Sequence, residues 1–222
     1  MMEPPVSPED VLLVDKPVGM SSFDVIRVLR KQFGIKKMGH AGTLDPLASG
    51  LMIIGVGKGT KLLHEHTKLD KVYVAEVCLG ERTTTGDREG VVLEQRAVHG
   101  PFTSQVLEDV VASMVGTLCL PVPIFSAVKQ GGEALYKKAR RGEQVDVPVR
   151  RMEVFAGSIL EPPTYRDERA FLNVEWHVAS GVYIRSLAEE LGRRLGYPAR
   201  LENLRRTQIG EWEVKDAMTL PT

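Results

Sequence analysis

Gly39-His40-Ala41-Gly42-Thr43-Leu44-Asp45-Pro46-Leu47-Ala48-Ser49-Gly50 places a single aspartate in a glycine-rich bend, immediately ahead of the apolar run Leu51-Met52-Ile53-Ile54. Glycines at 39, 42 and 50 allow backbone angles that other residues resist. Pro46 biases Asp45 away from helical angles and toward an extended conformation. No other acid and no cysteine close by in the chain competes with Asp45 for a chemical role, and basic residues crowd the upstream side. A carboxylate so presented can act on an anionic polymer; the plainer alternative is an Asp-Pro turn with no chemistry.

On both sides of this bend, short apolar runs alternate with helical patterns. Val11-Leu12-Leu13-Val14 reads as a strand that ends at Asp15-Lys16-Pro17-Val18-Gly19. Ser21-Ser22-Phe23-Asp24 reads as a capping box that opens a helix with Ile26, Leu29 and Phe33 on one face, stopped by Gly34. Val72–Leu79 alternates as a strand with Tyr73, Ala75, Val77 and Leu79 on one side. Glu81–Gly90 is expected to be a loop or long hairpin. Thr103 or Ser104 caps a helix running to about Val115.

Farther along, Ile124–Lys129, Val149–Leu160 and Phe171–Val178 read as strands, and Glu133–Arg141 as a basic helix. Leu172, Val174, Trp176 and Val178 share a face of the last strand. Ile184, Leu187, Ala188, Leu191 and Leu195 fall at helical spacing before Gly196. Without a regular βαβ rhythm, this order predicts an α+β fold, a mixed and mainly antiparallel sheet flanked by helices. The expected organisation is a flexible, Pro-rich lead over residues 1–10 and one continuous domain over 11–222.

The chain of 222 residues carries 29 basic and 29 acidic side chains, so net charge gives no hint of a nucleic-acid partner. The distribution of charge does. Arg27, Arg30, Lys31, Lys36 and Lys37 lie between positions 27 and 40 with no acid among them. Lys129–Arg151 holds seven cations against three acids, and Arg185–Arg206 six arginines against three glutamates. These patches suggest one charged face, with solvated helix faces as the alternative.

Cys78 and Cys119 are too few for a disulfide framework or a zinc site, and both are expected to be buried free thiols in a reducing compartment. Met1-Met2-Glu3-Pro4-Pro5 lacks the basic and apolar regions of a secretory signal, and no apolar run approaches a membrane span. A cytoplasmic protein is expected.

His40 could be a base or a surface wedge, and no second ligand at useful spacing supports a metal. His64 and His66 flank Glu65 but lack the His-Glu-x-x-His spacing, so they read as surface. Gly55-Val56-Gly57-Lys58-Gly59-Thr60 lacks both the Ser or Thr after the lysine and the upstream glycine of a phosphate loop. Arg185 is a surface arginine or a guanidinium gripping a carboxylate.

The bend resembles the signature of the TruB-type tRNA pseudouridine synthases. So do Leu13-Val14-Asp15-Lys16-Pro17-Val18-Gly19-Met20-Ser21-Ser22 and Asp70-Lys71-Val72-Tyr73. Pro123-Ile124-Phe125-Ser126-Ala127-Val128-Lys129, Ser180-Gly181-Val182-Tyr183-Ile184-Arg185-Ser186-Leu187 and Leu204-Arg205-Arg206-Thr207 complete the set in order. The resemblance runs from about Val11 to Ala217.

That resemblance implies isomerisation of uridine-55 in the tRNA T-loop, with Asp45 as nucleophile and Tyr73 stacking on the target uracil. Tyr183 and Arg185 match active-site residues, the arginine pairing with the aspartate. His40 matches the residue that fills the space left by the flipped nucleotide, and Leu204 one that lines the base pocket. Lys16 and Lys61 are assigned to support of the pocket or the phosphates.

It further implies no cofactor and no metal, tRNA as partner through its T-arm, no membrane, no required protein partner and a monomer. The carboxylate would attack C1′ or remove a ribose proton. Two departures stand out. The chain stops at Thr222, where family members commonly continue into a PUA-type RNA-binding domain, and Val178-Ala179-Ser180 replaces a common Cys-Ser pair. The rival readings are a tRNA-folding chaperone using the same site, a carboxylate glycosidase, which needs a second acid, and a guide-RNA-dependent relative.

Overall fold

The computed structural model describes residues 11–220, and the Pro-rich lead at 1–10 lies outside them. In chain order the elements begin with β1 (Val11–Lys16), α1 (Ser22–Phe33), β2 (Met38–His40), β3 (Ala48–Val56), α2 (Leu63–Lys68), β4 (Lys71–Leu79), β5 (Glu81–Thr83) and β6 (Val92–Gln95). Then come α3 (Ser104–Ser113), β7 (Gly116–Pro121), β8 (Lys129–Gln130), β9 (Glu133–Ala134), α4 (Leu135–Arg140), β10 (Val149–Ile159), β11 (Thr164–Arg166) and β12 (Arg169–Val178). The chain closes with α5 (Ile184–Leu195), β13 (Ala199–Ile209), β14 (Trp212–Glu213) and β15 (Met218–Thr219). Strand pairing is mainly antiparallel, with β1–β15 and β3–β13 parallel, which is the expected α+β class.

The described residues form two compact units, one of residues 11–74 and 204–220, the other of residues 75–203. In the first unit the strand order is β15-β1-β3-β13-β4, with β2 paired to β3 and β14 to β13. β1 runs antiparallel to β3 from Val11↔Gly55 to Lys16↔Gly50. The C-terminal part of β13 runs parallel to β3, with Leu204 opposite Ala48 and Arg206 opposite Gly50. Gly50 is required here: at φ 109° a Cβ would lie 2.2 Å from the Arg206 carbonyl oxygen.

α1 begins with the expected capping box. Ser21 caps the Asp24 N–H, the Asp24 side chain returns to Ser21, and Gly34 closes the helix at φ 69°. Val25, Ile26 and Leu29 form its buried face. The core beside this sheet is built on Ala41, Leu51, Ile53 and Ile209.

In the second unit the N-terminal part of β13 continues the order β13-β4-β12-β10-β7, and β5–β6 and β8–β9 are separate hairpins. Leu172, Val174, Trp176 and Val178 are fully buried, the face read from alternation. Each such side chain is worth about 1.5–3 kcal/mol of transfer energy. α3 packs on β10 and α5, with Thr103 as its cap.

Three expectations are corrected. Ile124–Val128 is not a strand, because its backbone acceptors are taken elsewhere. The Phe125 carbonyl receives the Arg185 guanidinium at 3.1 Å, and the Ser126 carbonyl receives the Tyr136 N–H at 3.1 Å. The Arg185–Arg206 segment is not an open basic patch. Arg193 and Arg194 pair with Glu190, Arg200 with Glu81 and Glu202, and Arg205 with Asp15, while Arg206 is buried.

The third correction is Cys119. It is exposed, because the outward positions of β7 are 117, 119 and 121. Cys78 is buried as expected, and burial pushes its thiol up to about 11. Among the described residues, no helix is long and apolar enough to cross a membrane.

Candidate active site

Asp45 lies in the loop between β2 and β3, and that loop is fastened at several points. The Ala41 N–H donates to Ile53 O at 2.9 Å. The Ser22 hydroxyl accepts the Leu44 N–H at 2.9 Å and donates to the Leu44 carbonyl at 3.0 Å. One buried hydroxyl on α1 thus satisfies both backbone groups of the residue before Asp45. The Ala48 N–H then donates to Asp45 O at 3.1 Å and closes a tight turn around Pro46. Pro46 O accepts the Gly19 N–H at 2.8 Å and the Lys16 ammonium at 3.4 Å.

Lys16 is fully buried, and its ammonium also donates to Met20 O at 2.6 Å and Pro17 O at 2.9 Å. Its three N–H donors therefore each have a backbone carbonyl within reach. Lys16 welds the β1–α1 connection to the Asp45 turn.

The opposite side of the loop is held by Arg206 of β13, which is 1% exposed. Its Nε donates to Leu51 O at 2.7 Å and its Nη2 to Gly42 O at 3.4 Å. Its guanidinium carbon lies 6.0 Å from the Tyr73 ring centroid, a cation–π separation. Gly42 holds φ 88° at this contact, a left-handed conformation that suits glycine. Tyr73 is buried, and Leu204 is buried opposite Ala48 in the register.

His40 ends β2, half-buried. Burial pushes its imidazole below the ordinary value and Arg206 acts in the same direction, against the Gly42 backbone. Lys61 is exposed at the end of the 57–61 3-10 turn and makes none of the loop-fastening bonds. The first unit therefore brings Lys16, His40, Asp45, Tyr73 and Leu204 around one pinned loop.

In the second unit, Tyr183 stands at the N-cap of α5 without a side-chain cap bond. Arg185 is buried in the first turn; its Nη1 donates to Thr85 O at 2.9 Å and forms an ion pair with the Asp87 carboxylate at 3.9 Å. One turn on, burial pushes the Glu189 carboxyl up, opposed by Arg82 and Arg185. No three His, Cys, Asp or Glu side chains among the described residues converge as a metal-binding set.

Sequence reasoning missed the parts played by Ser22 and Arg206. The signal for the first was the serine doublet at 21–22, since only one serine can cap. Ser22→Ala is expected to lower stability by about 1–3 kcal/mol, because it leaves both Leu44 groups buried without partners. The same variant should lower kcat more than it raises KM, which steady-state kinetics with urea unfolding would check.

Lys71, buried in β4, donates to Thr67 O at 3.1 Å and to Leu69 O. Burial, then Arg206, lowers its pKa from 10.5 to about 8, partly countered by Asp70. The unfolded chain therefore binds more protons between pH 8 and 10.5, and stability rises with pH across that window. The cost of a charged Lys71 is full below about pH 8 and is lifted toward 10.5. Lys71→Met should flatten this rise, which amounts to on the order of 2 kcal/mol between pH 7.5 and 10, read from unfolding free energies of both proteins.

A family model described as TruB family pseudouridylate synthase (N terminal domain) matches residues 30–184. The tRNA pseudouridine synthase B of Corynebacterium efficiens is 40% identical over 221 residues, 99% of this chain and 73% of that protein. That of Xylella fastidiosa is 41% identical over 212 residues, covering 96% and 68%.

Among solved structures, a chain of a Cbf5-Nop10-Gar1 complex aligns with a TM-score of 0.68 at 26% identity, covering 95% of this chain and 52% of that one. A chain of an H/ACA RNP bound to a substrate RNA containing 2′-deoxyuridine aligns with a TM-score of 0.67 at 24% identity, covering 95% and 50%. The chain spans about half the length of these solved chains.

Proposed function

Because the chain belongs to the TruB family of pseudouridylate synthases, we propose that it isomerises uridine-55 in the T-loop of tRNA to pseudouridine, with Asp45 as the nucleophile. The observation that carries this reading is the Asp45 turn itself. Its backbone is held by Ser22, Gly19, Lys16 and Ala48, so the carboxylate is presented with little freedom to lose on binding.

The reaction moves a bond within one nucleotide. The Asp45 carboxylate attacks C1′, and N1 of uracil leaves with the bonding electrons. The freed base turns and offers C5 to C1′, and the carboxylate departs as the new bond forms. The C5 proton is released and N1 takes one up, so atoms and charge balance without an oxidant or a second substrate. The target base must first leave its stack, at a cost of about a few kcal/mol.

Tyr73 is the aromatic partner assigned to the flipped uracil, with Leu204 lining the same pocket and His40 filling the vacated space. Tyr183 and Arg185 take the active-site roles that the resemblance implies, and Lys16 and Lys61 support the pocket and phosphates. The names of the curated relatives support tRNA as substrate. Pseudouridine mapping on an unmodified tRNA transcript, with purified chain and no added cofactor, tests the proposal. Conversion confined to uridine-55 is expected. Conversion at other sites refutes the site assignment, and tRNA binding without conversion favours the folding-chaperone reading.

A further inference from the structure

The outer face of α1 carries side chains that the reaction does not use. Phe23 is 57% exposed, and the guanidinium carbons of Arg27 and Arg30 each lie 5.8 Å from its ring centroid. Residues 23, 27, 30 and 31 follow one stripe of the helix, since side chains three and four apart are neighbours. Lys31, Lys36 and Lys37 are exposed as well. Between positions 22 and 40 the one acid is Asp24, whose carboxylate is already engaged by Ser21 and Arg27.

A helix face that merely meets water mixes signs so that charges pair at i,i+4. Here five cations face a single carboxylate that is in use. Two guanidiniums rest on one aromatic ring at little entropic cost: Arg27 is the exposed one and is shared with Asp24, while Arg30, which gives its Nη2 to Met38 O, adds positive charge beside it.

The face is also fixed with respect to the catalytic loop. At the start of α1, Ser22 is bonded to both backbone groups of Leu44, next to Asp45. Near its end, Arg30 Nη2 donates to Met38 O at 3.1 Å, in the strand that ends at His40. A chain gripped on this face is therefore held at a set distance from the carboxylate.

We infer that the outer face of α1, with the 36–37 connection, is a docking surface for the phosphodiester backbone of the substrate RNA outside the reacting nucleotide. The inference rests on the tRNA reading above. Phe23 is the scaffold of the grip, and Arg27, Arg30, Lys31, Lys36 and Lys37 supply the charge.

The test compares Lys31→Glu/Lys36→Glu with the charge-matched control Lys68→Glu/Lys215→Glu, all four positions being exposed in the same unit. Affinity for a tRNA transcript is measured by anisotropy across a salt series. Each phosphate contact contributes about 0.7–0.9 to the salt slope, so the first variant should lose about 1.4–1.8 of it, bind roughly tenfold more weakly, and keep its single-turnover rate at saturation. Phe23→Leu should weaken binding by about two- to fivefold, the worth of an exposed cation–π contact, and Phe23→Tyr should restore it.

Wild-type affinity and slope in the first variant, or an equal loss in the control, overturns the inference. Binding to phosphatidylserine vesicles that the first variant loses, with RNA affinity unchanged, reassigns the face to a lipid surface. Failure of the wild type to form pseudouridine strikes the reading of the reaction, and the affinity comparison is independent of turnover.

Discussion

Asp45→Asn is expected to lower pseudouridine formation on an unmodified tRNA transcript by on the order of 10⁴-fold or more, with tRNA affinity close to that of the wild type. The amide is nearly the same size as the carboxylate, and the loop is held by backbone bonds to Ser22, Gly19, Lys16 and Ala48 that the exchange leaves intact. What changes is nucleophilicity, since a neutral amide cannot attack C1′ and depart again. Single-turnover mapping beside a binding titration separates the two effects. An Asn variant that still converts uridine would remove Asp45 from the mechanism.

The second large effect belongs to Arg206. Arg206→Met is expected to cost about 2–4 kcal/mol of stability, because it leaves the Leu51 and Gly42 carbonyls without the donors they have in the folded chain. For a chain of this size the melting temperature should drop by about 4–16 °C. The loss should reach the site as well. Arg206 ties β3, the Gly42 bend and the face of Tyr73 together, so kcat should fall while substrate affinity changes less. Arg206→Lys keeps the charge but lacks the planar fork, and should fall between Met and the wild type. Thermal melts and steady-state kinetics on the two variants would show the order; equal stability of all three would mean that the buried guanidinium holds nothing.

The parts of the fold that were legible in the sequence rest on local rules. The Ser21–Asp24 box and Gly34 bracketed α1, alternation at 172, 174, 176 and 178 marked the inner face of β12, and Gly196 stopped α5. β13 was not legible. Its sequence, Ala199-Arg200-Leu201-Glu202-Asn203-Leu204-Arg205-Arg206, has charges where an inner face would have apolar residues. Those charges are tolerated because partners distant in the chain satisfy them: Glu81 for Arg200, Asp15 for Arg205, and the carbonyls of Leu51 and Gly42 for Arg206. No pattern within a single segment can reveal such partners.

Ile124–Val128 failed for the complementary reason, since its apolar side chains suggested a strand while its carbonyls serve Arg185 and Tyr136. The site was legible to the extent that its chemistry lies in one short stretch. Asp45 and its glycines are adjacent in the chain, whereas Ser22 and Arg206 hold backbone groups 22 and 164 residues away from them.

The two thiols of this chain differ in a way that has practical value. Cys78 is sealed in the interior with its ionisation suppressed, while Cys119 stands on the outward side of β7. Reaction with a maleimide depends on both exposure and thiolate, so at neutral pH a dye should attach to the native chain once, at a known position and without mutagenesis. The folded protein thus comes with a built-in address for a fluorophore.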